Sequence, residues 1–476
     1  MLRQVLALLI IGGVTGCTVQ PTLPALDKTY SDLQTQKPIE DAKLQKTLQQ
    51  GWWQKFNDPT LNTLIAQCIA ANPNSQTALS AIREARAYQN KTDAGRYPSA
   101  SLSAGYRHQY SNETEKQTGK YSLALDSQWE IDVFKQQQNA SNSAKELFLA
   151  VQADYTDLII SLSAEFANTY FSLRQQQQLL QLVQSSLKNW QETQQLVEWQ
   201  AMAGLQSQLA VEQAHRSYAQ TAATIPEYQS AILQRQHQLA GLLGIGLEQL
   251  PKTLFLTQGL APIPNIATDQ LPLEILRQRP DVRAAEHRAR SAAFQEAIAK
   301  ANQYPSFILA GSLSNAASNL GDLLSVNTLI ASLSASLSQT LFDHGQIKSD
   351  IEIKKEQALQ ALLSYRTTVL NALSEVQLAK SQMHNARQRL QKTLTALSLA
   401  KSEEELALLQ YKSGQIAFSE VLTAQRIRLG LQQQELNAQQ SLLEYTISFT
   451  KATMGDWAWQ QMQVASSPQS EESENE

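Results

Sequence analysis

Cysteine is almost absent from this chain of 476 residues, which contains only Cys17 and Cys68. Two cysteines cannot form the dense disulfide framework that holds small secreted domains together. Cys68 falls on the apolar side of an amphipathic stretch, which predicts a small buried thiol. Disulfide pairing therefore explains neither cysteine.

Charged residues are also scarce, at 17% of the chain, with a net charge of −4. Nucleic-acid-binding proteins present a basic surface, so this composition argues against a nucleic-acid partner. No run of about 18 apolar residues is present, so no transmembrane helix is expected. The histidines are scattered, and the chain lacks a nucleophile motif, a phosphate-binding loop and a cluster of metal-ligating residues. We therefore expect no enzyme, no metal site and no cofactor other than covalent lipid.

The first residues have the pattern of a bacterial signal peptide. Arg3 supplies positive charge, and residues 5–11 form an apolar segment too short to span a bilayer. The motif Val14-Thr15-Gly16-Cys17 resembles a lipobox, in which the cysteine is lipidated and becomes the mature N-terminus. We expect a signal peptide at 1–16, lipid on Cys17 and, because Thr18 rather than Asp follows, sorting to the outer membrane. An ordinary signal peptide with a coincidental cysteine is the alternative.

The chain contains an internal duplication with a separation of 207 residues. Pro73 and Pro98 are 25 residues apart, and Pro280 and Pro305 repeat that spacing. Proline is favoured at the first position of a helix, and the residue before a proline is pushed out of the helical region. Each pair thus predicts a helix that begins at the first proline and ends before the second. A repeat of this size indicates a duplicated structural unit.

An alternating pattern after each predicted helix indicates two strands. Apolar and aromatic residues alternate with serines and other polar residues over about 99–110, 120–131, 306–314 and 328–340. Tilted strands of about ten residues can cross an outer membrane, with the polar face toward water and the leucine face toward lipid. A soluble sandwich would show the same alternation, but the lipobox favours the membrane.

Each hairpin is followed by a long stretch without proline or glycine. About 65 residues of helix measure on the order of 100 Å, which suits a rod or tube rather than a compact domain. Gly204 and Gly414 follow these stretches and are expected to end the helices in the left-handed conformation. The predicted elements are long helices at about 135–201 and 346–412, and return helices at about 207–243 and 417–453.

The four predicted strands have a consequence for assembly. An open sheet edge is not tolerated in lipid, and single-chain bacterial barrels begin at eight strands. Membrane strands would therefore require several copies: two copies would give eight strands and three would give twelve. The predicted organisation is an arm and equatorial helix at 17–71, repeat 1 at 72–245, a linker at 246–278, repeat 2 at 279–455 and a polar acidic tail at 456–476.

The order and spacing of these motifs resemble the outer-membrane efflux factors, the TolC-like exit ducts of tripartite pumps, in their lipoprotein branch. The motifs that carry the resemblance are Cys17, Trp52-Trp53, Arg279-Pro280-Asp281, Tyr304-Pro305-Ser306, Leu341-Phe342-Asp343-His344-Gly345-Gln346, Tyr411-Lys412-Ser413-Gly414 and residues 421–426. The resemblance implies a mostly α fold and a homotrimer, with a twelve-stranded transmembrane β-barrel and a long periplasmic α-helical barrel. It also implies docking to a periplasmic adaptor protein and to an RND-type inner-membrane transporter.

The resemblance further implies a gate at the periplasmic tips, around Gly204 and Gly414. The family typically carries acidic residues about one turn past the second glycine. Glu420 keeps a carboxylate there, whereas Thr423 replaces a position that is often Asp. We expect one ring of three Glu420 carboxylates that selects for cations, with Arg426 as a further residue of the tip.

The predicted function is that of a passive duct, which conducts drugs or other toxic small molecules from the periplasm to the exterior. Two alternatives stay open. One is the exit channel of a type I protein-secretion system, against which the lipobox argues by family association alone. The other is a structural periplasmic coiled-coil lipoprotein, which leaves the paired hairpins unexplained.

Overall fold

The computed structural model describes residues 51–112, 115–264 and 274–453. The predicted signal peptide, Cys17, the arm up to residue 50 and the tail 456–476 lie outside the described residues. The described part is mostly α-helical and contains one four-stranded antiparallel sheet. The predicted combination of long helices with a few antiparallel strands is confirmed.

The helices and strands follow one another in the same order in both halves of the chain. The first half contains α1 (Pro59–Ala71), α2 (Pro73–Ala94), β1 (Ser99–Ser111), β2 (Lys116–Ile131), α3 (Gln136–Met202), α4 (Gln208–Ala223) and α5 (Ile225–Leu243). The second half contains α6 (Glu274–Gln278), α7 (Pro280–Ala301), β3 (Ser306–Ala317), β4 (Ile330–Ser338), α8 (Gln346–Lys412) and α9 (Phe418–Ala452). Each half thus consists of a helix, a hairpin, a long helix and a return helix.

The residue before each repeat helix ties the start of the repeat to its end. Asn72 accepts a hydrogen bond from the backbone N–H of Asn74 at 2.9 Å and donates to the carbonyl of Leu242 at 2.8 Å. In the second repeat, Arg279 donates to the carbonyl of Ala452 at 2.8 Å. Leu242 and Ala452 both lie at the end of a return helix, so the two repeats close in the same way.

Arg279 also makes contacts that Asn72 does not make. Its guanidinium donates to both carboxylate oxygens of Asp281, at 3.0 and 2.8 Å, and to Glu375 at 2.6 Å. Burial alone would lower the pKa of Arg279, but the hydrogen bonds to Asp281 and Glu375 outweigh it and raise the pKa. The side chain therefore stays charged and joins α7, α8 and α9.

The sheet has the order β1-β2-β3-β4, so the two hairpins are joined through β2 and β3. The first hairpin extends from the pair Ser99–Gln128 to the pair Ser111–Lys116, and its loop is shorter than predicted. The loop is shorter because the backbone hydrogen bonds of the two strands continue into polar residues, where the side chains no longer alternate between apolar and polar. β4 begins at Ile330, later than predicted, because Val326–Thr328 forms a 3-10 turn.

The long helices α3 and α8 have 67 residues each, which corresponds to roughly 100 Å. One stretch of α3 is long and apolar enough by composition to cross a membrane, and 39% of it is buried inside the structure. This stretch contains polar residues, so it is not one of the uninterrupted apolar runs that the sequence lacks. Phe166, Tyr170 and Phe171 of the same helix are fully buried, so α3 contributes to the protein core.

The return helix of repeat 1 is broken, although a single helix was expected over 207–243. α4 ends at Ala223 and α5 begins at Ile225. Pro226 has no N–H to donate and its ring crowds the preceding turn, which interrupts the helix. A cavity of about 180 Å³ lies beside the break and is lined in part by Thr221, Thr224 and Arg426. The return helix of repeat 2, α9, continues unbroken for 35 residues.

Candidate functional site

Both long helices end in the same turn. Gly204 and Gly414 each have a φ of 73°, a conformation that disfavours residues with a side chain. After α3, the N–H of Leu205 donates to the carbonyl of Gln200 at 2.8 Å, and the N–H of Gly204 donates to that of Ala201 at 2.9 Å. Gln415 and Gly414 make the corresponding two bonds after α8, both at 2.9 Å. These are Schellman caps, which satisfy the last helical carbonyls. We call these two turns the tips.

The two tips of one copy pack against each other through a shared apolar core. Repeat 1 contributes Val197 from α3 and Val211 from α4, and repeat 2 contributes Phe418, Val421 and Leu422 from α9. All five are buried. The first turns of α4 and α9 therefore lie side by side, and each places its remaining residues on the surface.

Tyr411 connects the two tips through hydrogen bonds. Its hydroxyl donates to Gln200 Oε1 at 2.6 Å and accepts from Gln206 Nε2 at 2.9 Å. Gln200 precedes Gly204 and Gln206 follows it, so one side chain of repeat 2 holds both sides of the tip of repeat 1. Burial raises the pKa of Tyr411, which keeps the hydroxyl protonated and able to donate. This role of Tyr411 was not predicted from the sequence.

Tyr411→Phe should loosen the tips without disturbing the apolar packing. The change removes two hydrogen bonds, each worth about 0.5–1.5 kcal/mol. We expect faster hydrogen exchange at the backbone amides of residues 200–206, measured on the detergent-solubilised protein. Tyr445→Phe, a half-buried tyrosine elsewhere in the second repeat, serves as the control. Equal exchange in Tyr411→Phe and the unmodified chain would contradict the role of the hydroxyl.

A polar contact near each tip joins the long helix to its return helix. Glu198 of α3 lies 2.6 Å from His215 of α4. Hydrogen bonds from Gln194 and His215 lower the pKa of Glu198. In repeat 2, Glu404 of α8 contacts Arg428 of α9, and Glu404 is buried. Both antiparallel helix pairs are thus held by polar as well as apolar contacts.

Glu420, Thr423 and Arg426 lie on one exposed stripe at the start of α9. Glu420 is the acidic residue of the first helical turn, where a carboxylate interacts favourably with the helix dipole. Thr423 donates to the carbonyl of Ser419 at 2.8 Å. Arg426 donates to the carbonyl of Leu422 at 3.3 Å and to Thr423 Oγ1 at 3.5 Å, both within its own helix. The structure thus brings these three predicted residues together beside Gly414.

The corresponding position in repeat 1 carries no carboxylate. Ala210, which lies 210 residues before Glu420, is buried in the core between the tips. Its N–H is capped by the hydroxyl of Ser207 at 3.3 Å. At this position the carboxylate therefore comes from the second repeat alone, while the nearest acid of repeat 1 is the exposed Glu212, two residues further along α4.

The sheet has two chemically different faces. The apolar face carries exposed leucines that lie in neighbouring positions of the ladder, where Leu102 pairs with Leu125 and Leu125 with Leu313. On the polar face, Ser101 pairs with Asp126 and Asp126 with Ser312. β1 and β4 are the edge strands of the sheet. Such an alternating sheet, exposed on both faces, is typical of the wall of a membrane barrel.

Aromatic residues border the apolar face at both ends. Near the hairpin loop, Tyr106 pairs with Tyr121, and their ring centres are 4.7 Å apart. Near the helices lie Trp129 and Phe307, and the indole N–H of Trp129 donates to the carbonyl of Arg96 at 3.0 Å. The eight residue steps from Tyr121 to Trp129 cover roughly 26 Å along the strand. At the strand tilt of about 40° that is usual for outer-membrane barrels, this segment spans roughly 20 Å of membrane height, which lies within their apolar band of about 25 Å.

The sheet has one apolar face suited to contact with lipid, and it continues into paired helices of roughly 100 Å. This combination defines a channel of the outer membrane with a periplasmic helical extension. A model of the outer membrane efflux protein family matches residues 64–245 and 271–453, which correspond to the two repeats. The chain belongs to this family. Its members are passive channels rather than enzymes, and in residues 51–112, 115–264 and 274–453 no group of three or more side chains could hold a metal ion.

Individual relatives agree with this assignment. The probable outer membrane lipoprotein SilC of Salmonella typhimurium is 26% identical over 412 residues, which cover 86% of this chain and 88% of SilC. The cation efflux system protein CusC of Escherichia coli K12 is 26% identical over 421 residues, covering 87% and 90%. The solved structure of the outer-membrane channel OprN has a TM-score of 0.79 at 31% identity, covering 85% of this chain and 92% of OprN. The protein is an exit duct of an efflux system in the outer membrane.

Proposed function

We propose that three copies of this chain form the complete duct. The observation that carries the proposal is the four-stranded sheet, whose edge strands β1 and β4 would be unpaired in lipid. In a ring of three copies, β4 of one copy pairs with β1 of the next, and twelve strands close without an edge. The polar face then lines the lumen, and the apolar face with its aromatic borders contacts lipid.

The long helices support the same assembly. α8 presents large apolar side chains to solvent in the single chain, among them Leu359, Leu363, Leu370, Leu399 and Leu406. A soluble surface seldom keeps such a series exposed, and contiguous apolar patches mark protein contacts. In the trimer, neighbouring copies cover this surface, and the helices form a tube through the periplasm.

The tips form the periplasmic end of this duct and its gate. Tyr411 and the apolar core between the tips hold the helix ends of one copy together, which favours a shut resting state. Glu420, Thr423 and Arg426 lie beside the entrance, where three copies of Glu420 form a carboxylate ring that attracts cations.

The anchor and the partners belong to the same proposal. Cys17 carries the covalent lipid that fixes the mature N-terminus to the outer membrane. The tips dock to a periplasmic adaptor protein, which connects the duct to an RND-type transporter of the inner membrane. The cargo is a toxic small molecule or cation. Relatives named for cation efflux, solvent efflux and antibiotic efflux support small cargo over secreted protein.

Native mass spectrometry of the detergent-extracted protein tests the assembly and the anchor together. We expect a trimer whose subunits begin at Cys17 and carry acyl chains. A trimer without acyl chains would contradict the anchor alone. A monomer without lipid would contradict the barrel closure, and with it the complete duct.

A further inference from the structure

Two cationic side chains lie opposite each other on the polar face of the sheet. Arg107 of β1 pairs directly with Lys120 of β2, and both residues are exposed. Like charges in directly opposed positions of an antiparallel pair destabilise the sheet. An arrangement with this cost indicates a role other than holding the hairpin together.

The surroundings do not neutralise this pair. Its nearest neighbours on the same face are Gly105 and Gln109 along β1, and Thr118 and Ser122 along β2. Neither Arg107 nor Lys120 forms an ion pair among the residues that the structure describes. β3 and β4 contain no charged residue. The acidic Glu115 and Asp322 belong to the loops, beyond the strands, and the loop residue Glu113 lies outside the described residues.

Acidic residues occupy the same face closer to the helices. Asp126 follows Lys120 by six residues, which places it roughly 20 Å further along the strand. Glu130 follows after another four residues, or about 13 Å. Both have the same parity as Lys120, so they point to the same side of the sheet. The polar face is thus cationic near the loops and anionic near the helices.

The aromatic borders locate the cationic pair relative to the membrane. Arg107 and Lys120 are the sequence neighbours of Tyr106 and Tyr121, which border the apolar band on the loop side. The pair therefore lies at the outer mouth of the barrel, on the lumen side. Asp126 lies within the height of the band.

We propose that Arg107 and Lys120 from three copies form a ring of cationic side chains at the outer mouth, which attracts anions and opposes the re-entry of cations from outside. The inference rests on the proposed trimeric duct, because only closure of the barrel turns the polar face into a lumen. Asp126 and Glu130 form an anionic section of the lumen closer to the helices, so the fixed charge changes sign along the lumen. This change of sign makes the ionic conductance depend on the direction of the electric field.

The direction of this dependence follows from the charges. When the chamber on the helix side is positive, cations enter through the anionic section while anions enter through the cationic mouth. Both ions then accumulate between the two sections and the current is large. The opposite voltage depletes that region and the current is small. Salt weakens the effect, because the screening length falls from about 10 Å at 0.1 M to about 3 Å at 1 M.

Planar-bilayer recordings of the full-length protein in KCl test the proposal. The long helices cannot cross the bilayer, so protein added to one chamber leaves its loops facing the other. We expect about a twofold larger current with the helix side positive at roughly 0.1 M KCl, and nearly equal currents at roughly 1 M. The double variant Arg107→Gln/Lys120→Gln should lose most of this asymmetry at low salt.

The matched control is Arg107→Lys/Lys120→Arg, which exchanges the side chains and keeps both charges. It should show the same current asymmetry as the unmodified chain. Every variant retains Glu420, so the tips contribute equally to the current in all of them. An unchanged asymmetry in the glutamine variant, or an equal loss in the charge-retaining control, would overturn the cationic ring. Tyr411→Phe, which loosens the tips, is recorded in parallel so that a shut gate is not mistaken for a missing channel. If this variant does not conduct either, the proposed duct itself fails.

Discussion

Glu420→Ala should markedly reduce the cation preference of the channel. Glu420 is exposed at the start of α9 and forms no ion pair within the described residues. Two unit charges 4 Å apart interact by about 1 kcal/mol in water. That energy corresponds to roughly a fivefold difference in occupancy, since each 1.4 kcal/mol is tenfold. The reversal potential across a KCl gradient in planar bilayers measures the change.

Thr423→Asp provides the opposite test at the same exposed stripe. A second carboxylate, one helical turn from Glu420, should increase the cation preference in the same recordings. Neither side chain supports the buried core between the tips, so both variants should keep the assembled channel. Unchanged ion selectivity in Glu420→Ala would contradict the assignment of a carboxylate gate. A response to Thr423→Asp alone would place the constriction nearer to that residue.

Arg279→Ala should strongly destabilise the helical part of the protein. Its side chain is 9% exposed, and its removal leaves Asp281, Glu375 and the carbonyl of Ala452 without their partner. Breaking a buried ion pair costs about 3–5 kcal/mol. The two carboxylates are 30% and 41% exposed, so solvent screening reduces the expected loss to about 2–3 kcal/mol. Thermal unfolding followed by helical circular dichroism measures it.

The duplication supplies a matched control for this change. Asn72→Ala removes the corresponding tie in repeat 1, which consists of one cap and one hydrogen bond to Leu242. Its loss should cost about 1–2 kcal/mol, less than that of Arg279→Ala. If the two variants unfold at the same temperature, the carboxylates do not contribute as described. Arg279→Lys should fall between them, because lysine cannot reproduce the bidentate contact with Asp281.

Much of the fold could be predicted because its determinants are local. Pro73 and Pro280 mark where helices begin, and the alternation of leucine with serine reports strand faces directly. Gly204 and Gly414 adopt the left-handed turn that their spacing predicted. Each of these signals depends on the conformation of a few consecutive residues, and a single sequence is enough to recognise it.

The features that the sequence analysis missed depend on distant contacts or on competing signals. Tyr411 and Gln200 are 211 residues apart, and nothing local indicates that they meet. A comparison of the repeats offers one signal, since Tyr411 occupies the position that Ala201 has in repeat 1. Pro226 was visible in the sequence, yet one helix was expected over 207–243. The pairing of Arg107 with Lys120 required the register of the hairpin.

The proline break has a consequence for the symmetry of the assembled tube. In the proposed trimer, two repeats in each of three copies give six similar helix pairs, so the ring has nearly sixfold geometry. Only the pairs from repeat 1 contain an interrupted helix, with a cavity beside it. Stiff and compliant pairs therefore alternate around the axis. The resistance of the tube to deformation then has threefold rather than sixfold symmetry. An opening that follows the compliant pairs would change a round cross-section into a three-cornered one.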